Sequence, residues 1–141
     1  MSKVAVVFWT GSGNTEIMAT AVADGAKSAG AEVDTYTAAE FDAAKAAGYA
    51  GIAFGCPAMG AEELEDTEFE PMFAGVEGSL GGKKVGIFGS YGWGDGEWMR
   101  NWADRCRNNG IALVNDGVMC NGEPDDAGKA ECADLGKAIA Q

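Results

Sequence analysis

The chain has 141 residues, of which 10 are Lys or Arg and 22 are Asp or Glu, giving a net charge of −12 with no histidine at all. That balance argues against nucleic-acid binding, which sets basic side chains against phosphate. The missing imidazole removes Ser-His and Cys-His nucleophiles and most zinc and haem sites.

Lys3 to Trp9 (KVAVVFW) is a nearly unbroken β-branched apolar run, which predicts a central strand covered on both faces. Thr10 to Thr15 is a polar, glycine-bearing turn. Between Thr15 and Ala29, the residues Ile17, Met18, Ala21, Val22 and Gly25 recur at helical spacing, and Gly30 ends that helix. Ala31 to Tyr36 alternates as a short strand, Phe41 to Ala47 reads as a weak helix, and Tyr49 to Gly55 (YAGIAFG) as a third, buried strand. A loop at Cys56 to Glu62 leads to a helix over Glu68 to Glu77, with Pro71 in its first turn. Lys83 to Gly89 is the fourth strand, and the glycine- and aromatic-rich stretch GSYGWGDGEW starts at its end. Trp98, Met99, Trp102, Ala103 and Cys106 make a helical stripe, which places Trp98 and Trp102 in the core. A fifth strand lies within Ile111 to Cys120, and Cys132, Leu135, Gly136 and Ile139 face one side of a last helix.

Strands alternating with helices predict an α/β fold, a five-stranded parallel sheet doubly wound by helices on both faces. One domain is expected over residues 1–141, with no 18-residue apolar run to span a membrane. MSKVAVVFWT lacks the apolar centre and cleavage site of a signal peptide, so a cytoplasmic location is expected. Parallel sheets of this kind take ligands beyond the carboxyl ends of their strands. The loops at 10–15, 56–62 and 89–96 therefore open on one edge.

In the first loop, Thr10-Gly11-Ser12-Gly13-Asn14-Thr15, hydroxyls alternate with glycines just before a helix. Free N–H groups and the positive helix terminus make this an anion site. It lacks the lysine of a Walker loop, and Glu16 stands where a dinucleotide loop needs its third glycine, although Asp34 follows about twenty residues on. The alternative is a plain strand-to-helix turn capped by Thr10 or Asn14. Downstream, Glu62, Glu63, Glu65, Asp66, Glu68, Glu70 and Glu77 follow one another without a cation between them. They read equally as a solvated face or a docking surface. The four cysteines show no CxxC spacing, and Cys56, set before Pro57 with no base nearby, reads as packing.

TGSGNT closely resembles the phosphate loop of the flavodoxins, and two more motifs follow in the family's order. Pro57-Ala58-Met59-Gly60-Ala61-Glu62-Glu63-Leu64-Glu65 resembles the first flavin loop of short-chain flavodoxins from anaerobic bacteria, and Gly89-Ser90-Tyr91-Gly92-Trp93-Gly94-Asp95-Gly96 their second. The resemblance implies the strand order 2-1-3-4-5, one non-covalent FMN and a one-electron carrier rather than a catalyst. It assigns the phosphate to Thr10, Gly11, Ser12, Gly13, Asn14 and Thr15. The ring falls to Ala58, Met59, Gly60, Ala61 and Glu62, and to Ser90, Tyr91, Gly92, Trp93 and Gly94. Trp93 stacks on the outer face of the ring, Met59 covers the inner face, and Glu62 meets the pyrimidine edge.

By the same resemblance the Gly60-Ala61 peptide flips its carbonyl toward flavin N5 on one-electron reduction. Treated as a four-residue turn over Met59 to Glu62, the unflipped form needs φ > 0 at Ala61 and the flipped form needs it at Gly60. Left-handed alanine costs roughly 1–2 kcal/mol, so Ala61 favours the flipped form and the semiquinone. Acidic, apolar surroundings disfavour the second negative charge, which predicts a low-potential carrier shuttling between semiquinone and hydroquinone. Its partners are redox proteins that dock on the acidic surface of a monomer. An FMN-dependent NAD(P)H or quinone reductase of the same fold is the alternative, and a stacked Trp93 would block its substrate. A phospho-acceptor domain would need an acid where Gly55-Cys56 stand. Cys120-Asn121-Gly122 is left without an assigned role.

Overall fold

In the computed structural model, which describes residues 3–11, 13–60, 62–92 and 94–141, the apolar runs become the inner strands of one sheet. Strands β1 (Lys3–Phe8), β3 (Gly51–Gly55) and β4 (Lys84–Tyr91) are buried almost throughout, as a strand covered on both faces must be. Strands β2 (Glu32–Thr37) and β5 (Val118–Asn121) are partly exposed and form the edges. Every neighbouring pair is parallel, in the order β2-β1-β3-β4-β5, as expected.

Among the described residues five α-helices cover the sheet. On one face Val4 and Val6 of β1 meet Met18 and Val22 of α1 (Asn14–Ser28) and Leu135 and Ile139 of α5 (Asp126–Ala140). On the other, Ala5 and Val7 belong to the cluster holding α2 (Ala43–Ala46), α3 (Phe69–Val76) and α4 (Glu97–Asn108). That alternation is the two-residue period of a strand. The second cluster is aromatic, with Phe54, Phe73 and Trp102 in edge-to-face contact. Trp98 and Trp102 are both buried in it, as their helical stripe predicts.

Two of the boundaries that differ from the sequence reading have an evident cause. β4 runs two residues past Gly89, because Ser90 and Tyr91 pair with Cys120 and Asn121 of β5. They therefore leave from a strand and not from a loop. β5 starts later than its apolar residues predict. Leu113 makes only an isolated bridge to Val85, and a turn follows in which Gly117, at φ 107°, donates its N–H to Asn115 Oδ1 at 2.9 Å. All four cysteines are free and buried.

Candidate functional site

The first loop is closed by its own hydroxyl. Thr10 Oγ1 accepts from the Gly13 N–H at 3.0 Å, and Gly13, at φ 97°, begins α1 with no side-chain cap. The first intrahelical bond, from Ile17 N–H to the Gly13 carbonyl, spans 3.1 Å. The amides of the first turn are thus left for a ligand, which favours the anion site over the capped turn. Thr15 faces inward instead of lining the loop, and its hydroxyl meets Ser90 Oγ at 3.1 Å, tying this loop to the end of β4.

The second loop is a short hairpin. Met59 and Glu63 exchange two backbone hydrogen bonds of 2.9 Å, so the hairpin closes one residue later than the expected turn. Gly60 has φ 48°, and Glu62, at φ 61°, is the one described non-glycine residue with positive φ. A left-handed glutamate is strained, and its carboxylate shows what holds it there. Glu62 Oε2 accepts from the Trp98 N–H at 3.1 Å, at the positive start of α4. Glu62 Oε1 is buried without a hydrogen-bond partner among the described residues. Beneath the hairpin, Trp98 Nε1 donates to the Cys56 carbonyl at 3.1 Å. Burial pushes the Cys56 thiol up to about 12, in keeping with a packing role.

The loops converge on one cavity of about 270 Å³. Gly11 and Asn14 reach it from the first loop, Ala58 and Met59 from the second, and Ser90, Tyr91 and Gly92 from the third. Three further residues line it: Pro57, which opens the second loop's motif, and Trp9 and Gly122, which no motif placed. Gly122 arrives because its N–H donates to the Tyr91 carbonyl at 2.8 Å, which extends the β4–β5 pairing past the strand ends. The cavity thereby gives Gly122 the place that the sequence left open. Thr10 lines a neighbouring hollow, Glu62 faces Gly94 behind the hairpin, and Ser12, Ala61 and Trp93 lie outside the described residues.

The acidic stretch is mostly spent inside the molecule. Glu62 holds α4, Glu68 accepts from Trp9 Nε1 at 3.1 Å, and Glu70 and Glu77 flank Arg105 at 2.6 and 2.9 Å. Glu65, only 4% exposed, takes the N–H groups of Thr67, Glu68 and Phe69 at 2.8–2.9 Å, plus the Thr67 hydroxyl. Burial alone would raise its pKa, but these donors outweigh it and hold the carboxyl at about 2. Glu63, Asp66 and Glu68 are exposed. Near the third loop, the Arg100 guanidinium is bound to Asp95 at 3.0 Å.

Fold and site together define a doubly wound α/β protein with a loop-lined cavity at the carboxyl edge of the sheet, where such folds take ligands. The flavodoxin family model matches residues 6–136. The flavodoxin of Megasphaera elsdenii is 44% identical over 138 residues, covering 98% of each chain, and that of Clostridium beijerinckii 40% over 135 residues, covering 96% of this chain and 97% of its own. The solution structure of the two-electron-reduced Megasphaera elsdenii flavodoxin superposes with a TM-score of 0.90 over 97% of this chain and 98% of that one. The chain belongs to the flavodoxin family. It is accordingly an FMN-binding electron carrier rather than a catalyst, and as a carrier it has redox partners. Among the described residues no helix is long and apolar enough to cross a membrane.

Proposed function

We propose that the 270 Å³ cavity is the FMN site and that this chain is a low-potential one-electron carrier. The observation that carries the assignment is that three glycine-rich loops, far apart in sequence, line one cavity at the carboxyl edge of the sheet. Bound FMN supplies one-electron redox chemistry, and the protein supplies binding, orientation and field. Thr10, Gly11, Ser12, Gly13 and Asn14 would hold the phosphate by neutral donors alone, and Thr15, whose hydroxyl meets Ser90 Oγ, would add its backbone N–H. Ala58, Met59, Gly60 and Ala61, together with Ser90, Tyr91, Gly92, Trp93 and Gly94, would hold the ring. The orphaned Glu62 Oε1 fits a cofactor N–H donor, since a buried acceptor left unpaired is costly.

Among the described residues no Lys or Arg lines the cavity, and Arg100 is engaged by Asp95. A second added electron therefore finds no cation to offset it, which lowers the potential of that step. Redox partners with basic faces meet Glu63 and Asp66, two of the exposed members of the acidic stretch, on a single-domain monomer. The test is titration of the apoprotein with FMN and with riboflavin. Asn14→Ala is expected to weaken FMN binding about tenfold and leave riboflavin unaffected, whereas Met59→Ala weakens both. Wild-type affinity in both variants overturns the assignment.

A further inference from the structure

Trp9 belongs to none of the three loop motifs, yet its side chain lines the cavity. The same side chain also lines a second hollow of about 220 Å³, whose walls include Thr37, Ala39 and Glu68. Trp9 thus stands between two spaces, and a ring with a void beside it lacks the neighbours that would fix it by packing. Its ring reaches over the first loop, where a Cβ on Gly11 would come within 3.3 Å of it.

The polar tether on the ring is the hydrogen bond from Nε1 to Glu68 Oε1 at 3.1 Å, made across 59 residues of sequence. Glu68 is itself well anchored. Its N–H donates to Glu65 Oε1 at 2.8 Å, and the Phe69 N–H donates to the same oxygen at 2.9 Å, at the start of α3. The chain of contacts runs from α3, through Glu68, to an indole beside the first loop.

We propose that Glu68 is a positioning residue for the FMN site, holding Trp9 as a wall of the cavity and out of the hollow beside it. This rests on the reading of the 270 Å³ cavity as the cofactor site. The requirement is an acceptor, not a charge, because the donor is a neutral indole N–H.

The experiment is FMN titration of apoprotein variants, with thermal unfolding of each apoprotein alongside. Glu68→Ala and Trp9→Phe are each expected to weaken FMN binding by about fivefold, the scale of one partly exposed hydrogen bond. The double variant should lose no more than either single one, since both remove the same bond. Glu68→Gln, which keeps the acceptor, should restore wild-type affinity, and Ala39→Leu in the Glu68→Ala background should recover part of it by filling the hollow. Apoprotein melting should move little in any of them. Additive losses in the double variant, or an affinity loss in Glu68→Gln equal to that of Glu68→Ala, overturn the proposal. So does wild-type binding by Glu68→Ala while Asn14→Ala and Met59→Ala weaken it. If those two control variants also bind as the wild type does, the cavity assignment itself has failed.

Discussion

A methyl group on Gly94 would lie 1.8 Å from Glu62 Oε1. The glycine is there to make room for a carboxylate as well as to supply a backbone at φ 84°. Gly94→Ala is expected to cost roughly 1–2 kcal/mol in denaturant unfolding from the backbone alone, and to weaken FMN binding by displacing Glu62. Unchanged values in both measurements would refute the contact. Glu65 makes a second prediction at this scale. Its folded pKa of about 2 lies below the ordinary 4.5, so its contribution is complete above pH 4.5 and is lost as pH falls toward 2. Glu65→Gln should be less stable by about 2 kcal/mol at pH 7, with the gap closing in acid; a gap independent of pH would count against the ionised carboxylate. The sequence shows these acids only as a run without neighbouring cations. Their partners are backbone amides, an indole 59 residues from Glu68, and a guanidinium 35 residues from Glu70, and no local pattern reveals such contacts.

Between elements, α1 and α5 pack backbone to backbone at glycine. A Cβ on Gly25 would sit 2.0 Å from the Ala133 carbonyl oxygen, and one on Gly136 would sit 2.0 Å from that of Val22. Gly25→Ala and Gly136→Ala should therefore each destabilise by about 1–3 kcal/mol, as overpacking does. Gly75→Ala, in α3 with nothing within 4 Å of the added carbon, should stabilise by roughly 0.5–1 kcal/mol. Urea midpoints for the three variants check both signs at once. Element identity was legible because a fully buried parallel strand is a solid apolar run and a covering helix is a stripe. The ends were less so. Ser90 and Tyr91 carry the composition of a loop, and only pairing with β5 draws them into β4. Ile111 to Val114 has the composition of a strand, but the turn at Asn115–Gly117 postpones regular pairing.

For the whole molecule, a net charge of −12 overstates what a partner meets. Most of the acidic stretch is bound internally, so the docking proposed above rests on exposed residues such as Glu63 and Asp66. Electron transfer to a basic acceptor protein should slow several-fold between about 20 and 200 mM salt. The double variant Glu63→Gln/Asp66→Asn should flatten that dependence in stopped-flow traces; an unaltered slope would place docking elsewhere. Three motifs in order made the fold and cofactor readable from sequence, whereas the wall contributed by Trp9 was not, since it depends on the geometry of α3. The buried cysteines have a practical consequence. Burial pushes Cys56, Cys106 and Cys132 up to about 12, and only the thiolate reacts, so an alkylating dye is shut out until the chain opens. The thiols thus form a built-in stopwatch, in which Cys56 times the release of the hairpin above it and Cys106 the fraying of α4.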